Sequence, residues 1–370
     1  MMNDKIYNFI DSVYNLSKKK GKKLHESFTN TDSSEFKKIW TQQCGKYNID
    51  EQPSILPAAD RIIVIGDLHG DINTTIDSLV LAKVIDKKYN WIGGKTVIVQ
   101  VGDQIDRCRF DGVNSCNQPG ITHNDEDSDI KILHFFTDLH RKAQLAGGAV
   151  YSLLGNHELM NVEGDMRYVS HAGIQGLNNH ITEDKKVIKD GMEARKYLFT
   201  PGNPVSNFLA CTRQVAIIIG SNLFVHAGIL PHIADKYKIQ DINKLMSLYL
   251  LNKLTDDNDY NKIFKNYEAS PLWTRKIGKL GLDAFKSKYT KSISDNTCDE
   301  ILSPLTKNYK VQNIYVGHTP LLESGITSIC NDKIWLTDYG GSKAFDKYSN
   351  SVRDVQVLEI LNDNKFNILK

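Results

Sequence analysis

Five short apolar segments of this chain each end directly at a cluster of Asp, His or Asn residues. The segments are rich in β-branched and long aliphatic residues and have the length of buried strands: residues 61–65, 96–101, 150–154, 223–225 and 313–316. The clusters that follow them are Gly-Asp-Leu-His-Gly, Gly-Asp-Gln-Ile-Asp-Arg, Gly-Asn-His-Glu, His-Ala-Gly and Gly-His-Thr. Because ligands gather at the carboxyl ends of strands in open α/β sheets, we expect the five clusters to meet at one site.

The residues at these strand ends are of the kinds that bind divalent metal ions. A mixture of carboxylate, amide and imidazole ligands suits Mn, Fe or Zn better than ions that prefer thiolates or an all-oxygen site. Asp67, His69 and Asp103 are predicted to hold one ion, and Asp103 is predicted to bridge to a second. The other predicted ligands of the second ion are Asn156, His226 and His318. Two ions about 3.5–4 Å apart acidify a shared water, so the expected nucleophile is a metal-bound hydroxide that attacks phosphorus.

These motifs resemble those of the metallophosphoesterase superfamily. The Gly-Asp-x-x-Asp-Arg and Gly-Asn-His-Glu sequences are similar to those of its phosphoprotein phosphatase branch, and residues 160–169 resemble the Shewanella-like protein phosphatases, a bacterial-type group. The similarity extends, with gaps, over residues 61–360. It implies an α/β fold of the calcineurin-like type, a sandwich of two mixed β-sheets flanked by helices. It also implies hydrolysis of phosphomonoesters on proteins, with the choice among phosphoserine, phosphothreonine and phosphotyrosine left open.

The resemblance also assigns roles to residues beside the metal ligands. His157 is expected to be the general acid that protonates the leaving group, and Asp106 the carboxylate that orients it. The chemistry agrees, because a neighbouring carboxylate raises the proton affinity of an imidazole. Arg107 is expected to hold phosphate oxygens through a bidentate guanidinium. A second phosphate-binding arginine is expected, with Arg275 as the candidate and Arg167 as its competitor.

Other functions are compatible with parts of this pattern. The same metal ligands would serve a dinucleoside polyphosphate hydrolase, a phosphodiesterase or another small-molecule phosphoesterase, although the pair Asp106 and Arg107 favours monoesters. A binding scaffold without activity is disfavoured, because the ligand set and His157 are intact. A P-loop nucleotide hydrolase is excluded, since Tyr89 stands where the first glycine of that motif is required.

Composition limits the partners and the compartment. The 370-residue chain has a formal net charge of +2, which predicts no nucleic-acid partner, and no apolar stretch reaches the length of a membrane span. We therefore expect a phosphorylated protein as the partner and no membrane association, and the oligomeric state stays open. The six cysteines lack the spacing of a disulfide framework or a metal site, and the first residues lack the apolar core of a signal peptide. These features predict a cytoplasmic protein, in a reducing compartment, with free thiols.

The chain is predicted to contain an N-terminal helical extension and one catalytic domain. In the extension, apolar residues recur at helical spacing over residues 6–14 and again at Phe36, Ile39 and Trp40. The predicted boundaries are residues 1–52 for the extension and residues 53–370 for the catalytic domain. Packing of the extension on the catalytic domain is the favoured role for it.

The order of helices and strands predicts a parallel sheet followed by further strands. Crossover helices and a later hairpin are the clearest elements, because their apolar periodicity and turn residues are distinct. The predicted elements are crossover helices at residues 68–92 and 130–146, a mostly helical segment with loops at 159–212, helix and loop at 232–312, a hairpin at 215–225, and strands at 328–338 and 355–360.

An acidic insertion follows the second motif. Cys108 stands where the resembling family has glycine, and residues 110–129 intervene before the next predicted helix. We expect this loop to lie beside the site and to select substrates. Cys108 and Cys116 are predicted to be two reduced thiols on a mobile loop, with a redox bridge as the alternative.

Overall fold

Two six-stranded β-sheets form the centre of the computed structural model, which describes residues 34–47, 50–110, 112–286, 293–348 and 353–370. The strands of the first sheet are Arg61–Ile65 (β2), Val97–Gln100 (β3), Ala149–Leu153 (β4), Arg213–Gln214 (β7), Val357–Leu361 (β13) and Lys365–Leu369 (β14). Their order across the sheet is β14-β13-β2-β3-β4-β7. Strands β2, β3, β4 and β7 are parallel, whereas β13 is antiparallel to β2 and β14 is antiparallel to β13.

The second sheet combines hairpins with parallel pairs. Its strands are Ile55–Leu56 (β1), Ala216–Ile219 (β8), Asn222–Val225 (β9), Asn313–Val316 (β10), Thr327–Ile329 (β11) and Ile334–Leu336 (β12). The order is β1-β8-β9-β10-β12-β11, in which β9, β10 and β12 are parallel neighbours. A separate small hairpin pairs His180–Ile181 (β5) with Val187–Ile188 (β6).

Helices cover the outer faces of both sheets. Ile72–Leu81 (α2) and Asp129–Gln144 (α3) connect the parallel strands of the first sheet and pack on its outer face. Helix α2 begins at Asp71, whose side chain accepts a hydrogen bond from Thr74 N at 3.0 Å. The other helices are Ser34–Cys44 (α1), Asn156–Val162 (α4), His171–Gln175 (α5), Gly191–Phe199 (α6), Pro204–Thr212 (α7), Pro231–Ala234 (α8), Ile239–Leu250 (α9), Asn258–Tyr260 (α10), Lys276–Lys286 (α11) and Asp295–Tyr309 (α12). Among the residues that the structure describes, none of these helices is both long and apolar enough to cross a bilayer.

The two sheets pack face to face through a common apolar layer. Val64 and Val99 of the first sheet and Phe224 and Tyr315 of the second sheet belong to one buried cluster. The rings of Phe224 and Tyr315 are stacked with centroids 4.6 Å apart. Burying one such side chain contributes roughly 1.5–3 kcal/mol, so this layer holds the strand ends of both sheets in a fixed relation.

The predicted α/β sandwich of two mixed sheets flanked by helices is confirmed. The expected crossover helices are α2 and α3, the expected hairpin is β8 and β9, and the later strands include β11, β12 and β13. Phe36, Ile39 and Trp40 lie on α1 as predicted, whereas residues 6–14 lie outside the described residues. The boundary at residue 52 stays a prediction. Strands β1, β7 and β14 were not predicted, and neither was the small hairpin of β5 and β6, which lies inside the segment predicted to be mostly helical.

The prediction of reduced cysteines is wrong, because all six pair. The disulfides join Cys44 to Cys211, Cys108 to Cys116 and Cys298 to Cys330. The first ties α1 to α7 across a sequence separation of 167 residues. The spacing of cysteines along the chain does not reveal which of them lie close enough in the fold to form a disulfide. The prediction failed for that reason. The three disulfides fit a non-reducing compartment rather than the reducing one that was expected.

Candidate active site

Polar residues at the carboxyl ends of five strands converge at one edge of the sandwich. They are Asp67 and His69 after β2, Asp103 after β3, Asn156 after β4, His226 after β9 and His318 after β10. Each of these residues is at most 4% exposed. The two sheets therefore bring together all six predicted metal ligands, although the residues are distributed over most of the chain.

The backbone turns sharply where these side chains leave the strands. His69, Asp103 and His318 have positive φ angles of 44°, 54° and 68°. Residues other than glycine rarely adopt this conformation, and such positions concentrate at functional sites. Gly317 has no room for a side chain, because a Cβ atom there would overlap Asp67 Oδ1. The turns thus direct the polar side chains toward a common centre at very close range.

Asp103 lies between two groups of ligands. Its Oδ1 is 3.4 Å from His226 Nε2, while its Oδ2 is 3.9 Å from His69 Nε2. On the side of Oδ2, His69 Nε2 is also 4.0 Å from Asp67 Oδ2. On the side of Oδ1, His226 Nε2 is 3.0 Å from Asn156 Oδ1. The two oxygens of Asp103 therefore face different ligand groups, which is the geometry that a bridging carboxylate requires.

Backbone carbonyls orient the imidazole rings. Val101 O lies 2.9 Å from His226 Nδ1, and Trp273 O lies 2.9 Å from His318 Nε2. A ring nitrogen that donates to a carbonyl leaves the other nitrogen free as a ligand atom. His226 is thereby oriented to present Nε2 and His318 to present Nδ1.

The pKa values of the predicted metal ligands are shifted by burial and by their charged neighbours. Burial raises the pKa of Asp67 well above its usual value, and the neighbouring carboxylates Asp338 and Asp103 raise it further. Burial lowers the pKa of His69 well below its usual value, and that of His318 also. Burial would raise the pKa of Asp103 too, but the surrounding histidines outweigh it and the net shift is downward. Burial thus favours the neutral, metal-binding forms of His69 and His318. For His226, in contrast, burial is outweighed by Asp103 together with other neighbours, and the pKa is raised.

The donor atoms also lie close enough to share ions. Two sets have ligand atoms within 4.8 Å of one another: His69, Asp103 and His157, and Asp103, His226 and His318. The second set coincides with three of the four ligands predicted for the second ion. The first set includes His157, the predicted general acid, beside two ligands predicted for the first ion. The donor chemistry and its density therefore fit two divalent cations.

His157 is held by Asp106 at the edge of this cluster. Its Nδ1 is 2.8 Å from Asp106 Oδ2, and its Nε2 is 3.9 Å from Asp103 Oδ2. The Asp106 carboxylate thus occupies one ring nitrogen and leaves Nε2 facing the cluster. The structure brings His157 and Asp106 together as the resemblance implied.

A buried polar network lies behind Asp106. Arg195 on α6 is fully buried, and its guanidinium approaches Asp106 Oδ1 at 3.2 Å and Asp129 Oδ2 at 2.8 Å. Asn161 donates to both oxygens of Asp106 and accepts from Arg195 Nε at 2.7 Å. The network fixes the carboxylate that orients His157. Sequence reasoning missed Arg195, because nothing in the local sequence indicates that it reaches the site.

Glu158 joins two of the ligand-bearing loops. Its carboxylate accepts hydrogen bonds from the backbone N–H groups of Asp103, Gln104 and Gly155 at 3.0, 2.7 and 2.7 Å. The side chain is fully buried, so these bonds replace its hydration. Glu158 is the last residue of the Gly-Asn-His-Glu motif, and that position was the signal by which it could have been found.

Arg107 has partners that differ from the predicted phosphate. Its side chain is only 1% exposed and forms ion pairs with Asp71 at 3.0 Å and Glu126 at 3.1 Å. The guanidinium also donates to the carbonyl oxygens of Gly70 and Asn124. Arg107 therefore fastens the acidic insertion to the loop after β2. The motif match did not reveal these contacts, because they come from residues in the insertion.

Arg109 lies beside the predicted metal ligand His69. Its guanidinium nitrogens lie 2.9 and 3.3 Å from the two ring nitrogens of His69. The guanidinium also lies 5.2 Å from the ring centre of Tyr168 and 5.1 Å from that of Phe345. The Cys108–Cys116 disulfide encloses Arg109 in a short loop. Sequence reasoning missed Arg109, because only the first arginine after Asp106 matches the motif.

The two other predicted arginines differ in their distance from the cluster. Arg275 donates to the carbonyl of His318 at 3.0 Å and helps to lower the pKa of that histidine, after burial and His226. Arg167 is 59% exposed in its side chain and is engaged with Asp165 at 2.6 Å. Arg275 therefore lies at the rim of the site, whereas the contacts of Arg167 are to its own neighbour in sequence.

The sequence of this chain matches one protein family over most of its length. The family model of the calcineurin-like phosphoesterases aligns with residues 60–322, and this range contains all six predicted metal ligands. The chain belongs to this family. It is accordingly a metallophosphoesterase, a hydrolase whose family uses divalent metal ions, and the two-sheet fold agrees with that assignment.

Several relatives are similar over most of their own length. An uncharacterized protein, R398, of Acanthamoeba polyphaga mimivirus is 35% identical over 64% of this chain and 97% of its own. Shewanella-like protein phosphatase 2 of Arabidopsis thaliana is 27% identical over 77% of this chain and 72% of its own. Shewanella-like protein phosphatase 1 of Plasmodium berghei is 27% identical over 76% of this chain and 67% of its own. The resemblance to Shewanella-like phosphatases is thus confirmed.

Solved structures share the fold. The cold-active protein-tyrosine phosphatase of a psychrophilic Shewanella species superposes with a TM-score of 0.57 and 20% identity, covering 96% of this chain and 90% of that chain. At this identity the similarity concerns the architecture, and it confirms the predicted two-sheet sandwich.

Proposed function

We propose that this chain is a metal-dependent protein phosphatase that hydrolyses phosphomonoesters with two divalent cations at the strand-end cluster. By this name we mean the six residues Asp67, His69, Asp103, Asn156, His226 and His318. Two relatives are named protein phosphatases, and the structural neighbour is named a protein-tyrosine phosphatase. Those names support a phosphorylated protein as the substrate. Mn, Fe and Zn are the ions that suit this mixture of ligands.

The observation on which this proposal chiefly depends is the pairing of His157 with Asp106. A phosphomonoester of serine or threonine has a poor leaving group, whose oxygen must be protonated as the bond to phosphorus breaks. His157 Nδ1 is engaged with Asp106, so the transferable proton is at Nε2, the nitrogen that faces Asp103. Asn161 and Arg195 hold Asp106 in place behind it. His157 is therefore the general acid in our proposal.

Arginines on the site supply positive charge for the phosphate. In our proposal Arg109, on the disulfide-closed loop beside His69, contacts phosphate oxygens, and Arg275 beside His318 is the second candidate. A guanidinium matches two phosphate oxygens at once, which gives orientation as well as affinity. The rings of Tyr168 and Phe345 flank Arg109 and limit the directions in which it can point.

The cations complete the electrostatics of the reaction. When bound, two divalent ions lower the pKa of a water molecule and neutralise charge on the phosphate. The residues of the chain hold the reacting groups in a largely buried setting, where charge interactions are stronger than in water. Asp103 is the residue in our proposal that contacts both ions.

A substrate panel tests the proposal. The full chain, loaded with Mn²⁺, would be assayed on phosphoserine, phosphothreonine and phosphotyrosine peptides, on a phosphodiester, and on a dinucleoside tetraphosphate. We expect release of inorganic phosphate from at least one phosphopeptide and much slower cleavage of the other two substrates. Faster cleavage of the dinucleotide or the diester would replace the protein phosphatase by a small-molecule phosphoesterase. No metal-dependent hydrolysis of any substrate would favour an inactive scaffold.

A further inference from the structure

Asp338 follows β12 and lies beside the strand-end cluster without belonging to it. Strand β12 is the parallel neighbour of β10, so Asp338 and His318 leave adjacent strands at the same edge. The backbone before Asp338 also touches Gly66, the residue that precedes Asp67: a Cβ atom on Gly66 would lie 3.3 Å from Asp338 N. Asp338 thus enters the site next to Asp67, from the opposite sheet.

The two carboxylate oxygens of Asp338 differ in their contacts. Oδ1 accepts a hydrogen bond from Gly340 N at 3.0 Å. Oδ2 is buried and forms no hydrogen bond with any residue that the structure describes, and the whole residue is only 1% exposed. A buried carboxylate oxygen is costly unless a hydrogen bond or a cation compensates for its lost hydration. A cation at Oδ2 would therefore stabilise the charged form of Asp338.

The charges near Asp338 are those of the metal cluster. Burial raises the pKa of Asp338 to about 6, the Gly340 N–H acts against this, and Asp103 raises it further. Asp338 in turn is the carboxylate with the largest effect on the pKa of Asp67. His226 and Arg109 are the positive groups that act on Asp338. Asp67, Asp103 and Asp338 therefore share one buried region, where three carboxylates repel one another unless cations lie among them.

We propose that Asp338 is a seventh protein ligand of the metal centre, supplying a third carboxylate to the ion that Asp67, His69 and Asp103 hold. The inference rests on the two-metal centre of the proposed function. With Asp338 included, this ion has three carboxylate ligands and one imidazole, whereas the other ion has two imidazoles, one carboxylate and one amide. The oxygen-rich position is the harder of the two, and hard oxygen ligands suit Mn²⁺.

Metal titration tests this assignment. The full chain would be freed of metal with a chelator and titrated with Mn²⁺ by calorimetry, for the unaltered protein and for Asp338→Asn. The asparagine retains the oxygen that accepts from Gly340 but loses the negative charge. We expect the affinity for one of the two ions to fall by about 10- to 100-fold, the usual effect of changing a residue that supports a metal site.

Asp363→Asn is the matched control. Asp363 is a half-buried carboxylate that accepts from Ser221 N and Asn222 Nδ2, and neither of these partners is a predicted metal ligand. The same change of charge there should leave both Mn²⁺ affinities unaltered. Equal Mn²⁺ affinities for Asp338→Asn and the unaltered protein would overturn the proposal.

Thermal unfolding of the metal-free proteins separates a ligand from a structural residue. Removing one of three repelling carboxylates should leave the metal-free Asp338→Asn variant at least as stable as the unaltered protein, and its gain in melting temperature on adding Mn²⁺ should be smaller. The proposal would fail if the metal-free variant were less stable and its melting temperature rose on adding Mn²⁺ as much as that of the unaltered protein. Asp338 would then only support the fold.

A second variant covers the case in which Asp338→Asn does not fold. Asp338→Ser retains a small oxygen near Gly340, and it should show the same loss of Mn²⁺ affinity; a normal affinity would refute the proposal. If the unaltered protein binds no Mn²⁺, the two-metal function itself fails. If it binds two ions and the variants also bind both normally, only the role of Asp338 fails.

Discussion

The strand-end cluster and the loop closed by Cys108 and Cys116 contribute to one site by different means. The cluster residues are fixed by strands whose positions follow from the packing of two sheets. The loop presents Arg109 through a disulfide, two aromatic rings and a contact with His69. The first region depends on the core of the fold, whereas the second depends on contacts made at the surface of the site. We therefore expect changes in the cluster to abolish metal binding and chemistry, and changes in the loop to weaken substrate binding.

The largest effect is expected at Asp103. Asp103→Asn should lose at least one bound ion per chain and reduce phosphate release below detection, because both ligand groups approach this carboxylate. Metal content would be measured by elemental analysis alongside turnover, with Asp363→Asn as the matched control. Two retained ions together with normal turnover would contradict the two-metal model. The strand-end cluster would then not differ from the Cys108–Cys116 loop in the way described above.

His157→Asn should have the next largest effect, and it should depend on the substrate. Hydrolysis of a phosphoserine peptide should fall by about 10²- to 10⁴-fold, because its leaving group needs a proton. Hydrolysis of p-nitrophenyl phosphate, whose leaving group is already stable as an anion, should fall much less, and metal content should stay normal.

His171→Asn provides the comparison for this experiment. His171 bonds the backbone of Asn117 and lies outside the cluster, so the variant should keep both activities. If His157→Asn reduces the two activities equally while both metals stay bound, His157 positions phosphate or water rather than donating a proton.

Variants of Arg109 and Arg107 should show whether each arginine binds phosphate or supports the fold. Arg109→Ala should weaken inhibition by inorganic phosphate by about 10- to 100-fold, equivalent to roughly 1.5–3 kcal/mol for a lost hydrogen bond to a charged group. Arg107→Ala should instead lower the free energy of unfolding by about 3–5 kcal/mol, because Asp71 and Glu126 would lose their buried partner.

Phosphate inhibition and thermal melting, measured on both variants, decide between these roles. Weaker phosphate inhibition in Arg107→Ala, with unchanged inhibition in Arg109→Ala, would return the phosphate-binding role to Arg107. Unchanged inhibition in both variants would leave Arg275 as the remaining candidate.

The smallest effect is expected from the disulfides. Replacing both Cys108 and Cys116 by serine should weaken phosphate inhibition only a few-fold, since holding one long side chain in place is worth about 0.5–1.5 kcal/mol. Replacing both Cys298 and Cys330 should leave phosphate inhibition unchanged and lower the melting temperature, because that bridge joins α12 to the segment after β11. Equal phosphate inhibition in the two double variants would show that the Cys108 loop does not position Arg109.

Residues at the ends of buried strands could be predicted because their signal is local. An apolar run that stops at Asp67 or His318 places that residue at the edge of a sheet, whatever the rest of the chain does. The same argument would have led to Asp338, which is the last residue of the segment predicted to form strands at 328–338. Strand β14, in contrast, is partly exposed and mixes polar with apolar residues, so its sequence gives little periodicity.

Side-chain directions in the insertion could not be predicted, because they depend on distant residues. Arg107 contacts Glu126 and Asn124 of the insertion, and the motif alone does not reveal these contacts. Arg195 reaches Asp106 from a helix that no motif connects to the site. The pairing of Cys44 with Cys211 likewise requires the packing of α1 on α7, a contact that residue spacing does not encode. Local motifs therefore indicate the candidate ligands, but they do not reveal the residues that support or surround them.

The pairing of β13 with β2 constrains the order in which the protein can be completed during synthesis. Strand β2 carries Asp67 and His69 at its end, yet its neighbour β13 is synthesised long after it. Until then one edge of β2 lacks its partner, and open strand edges attract other chains. We expect nascent chains halted before residue 357 to be retained by chaperones.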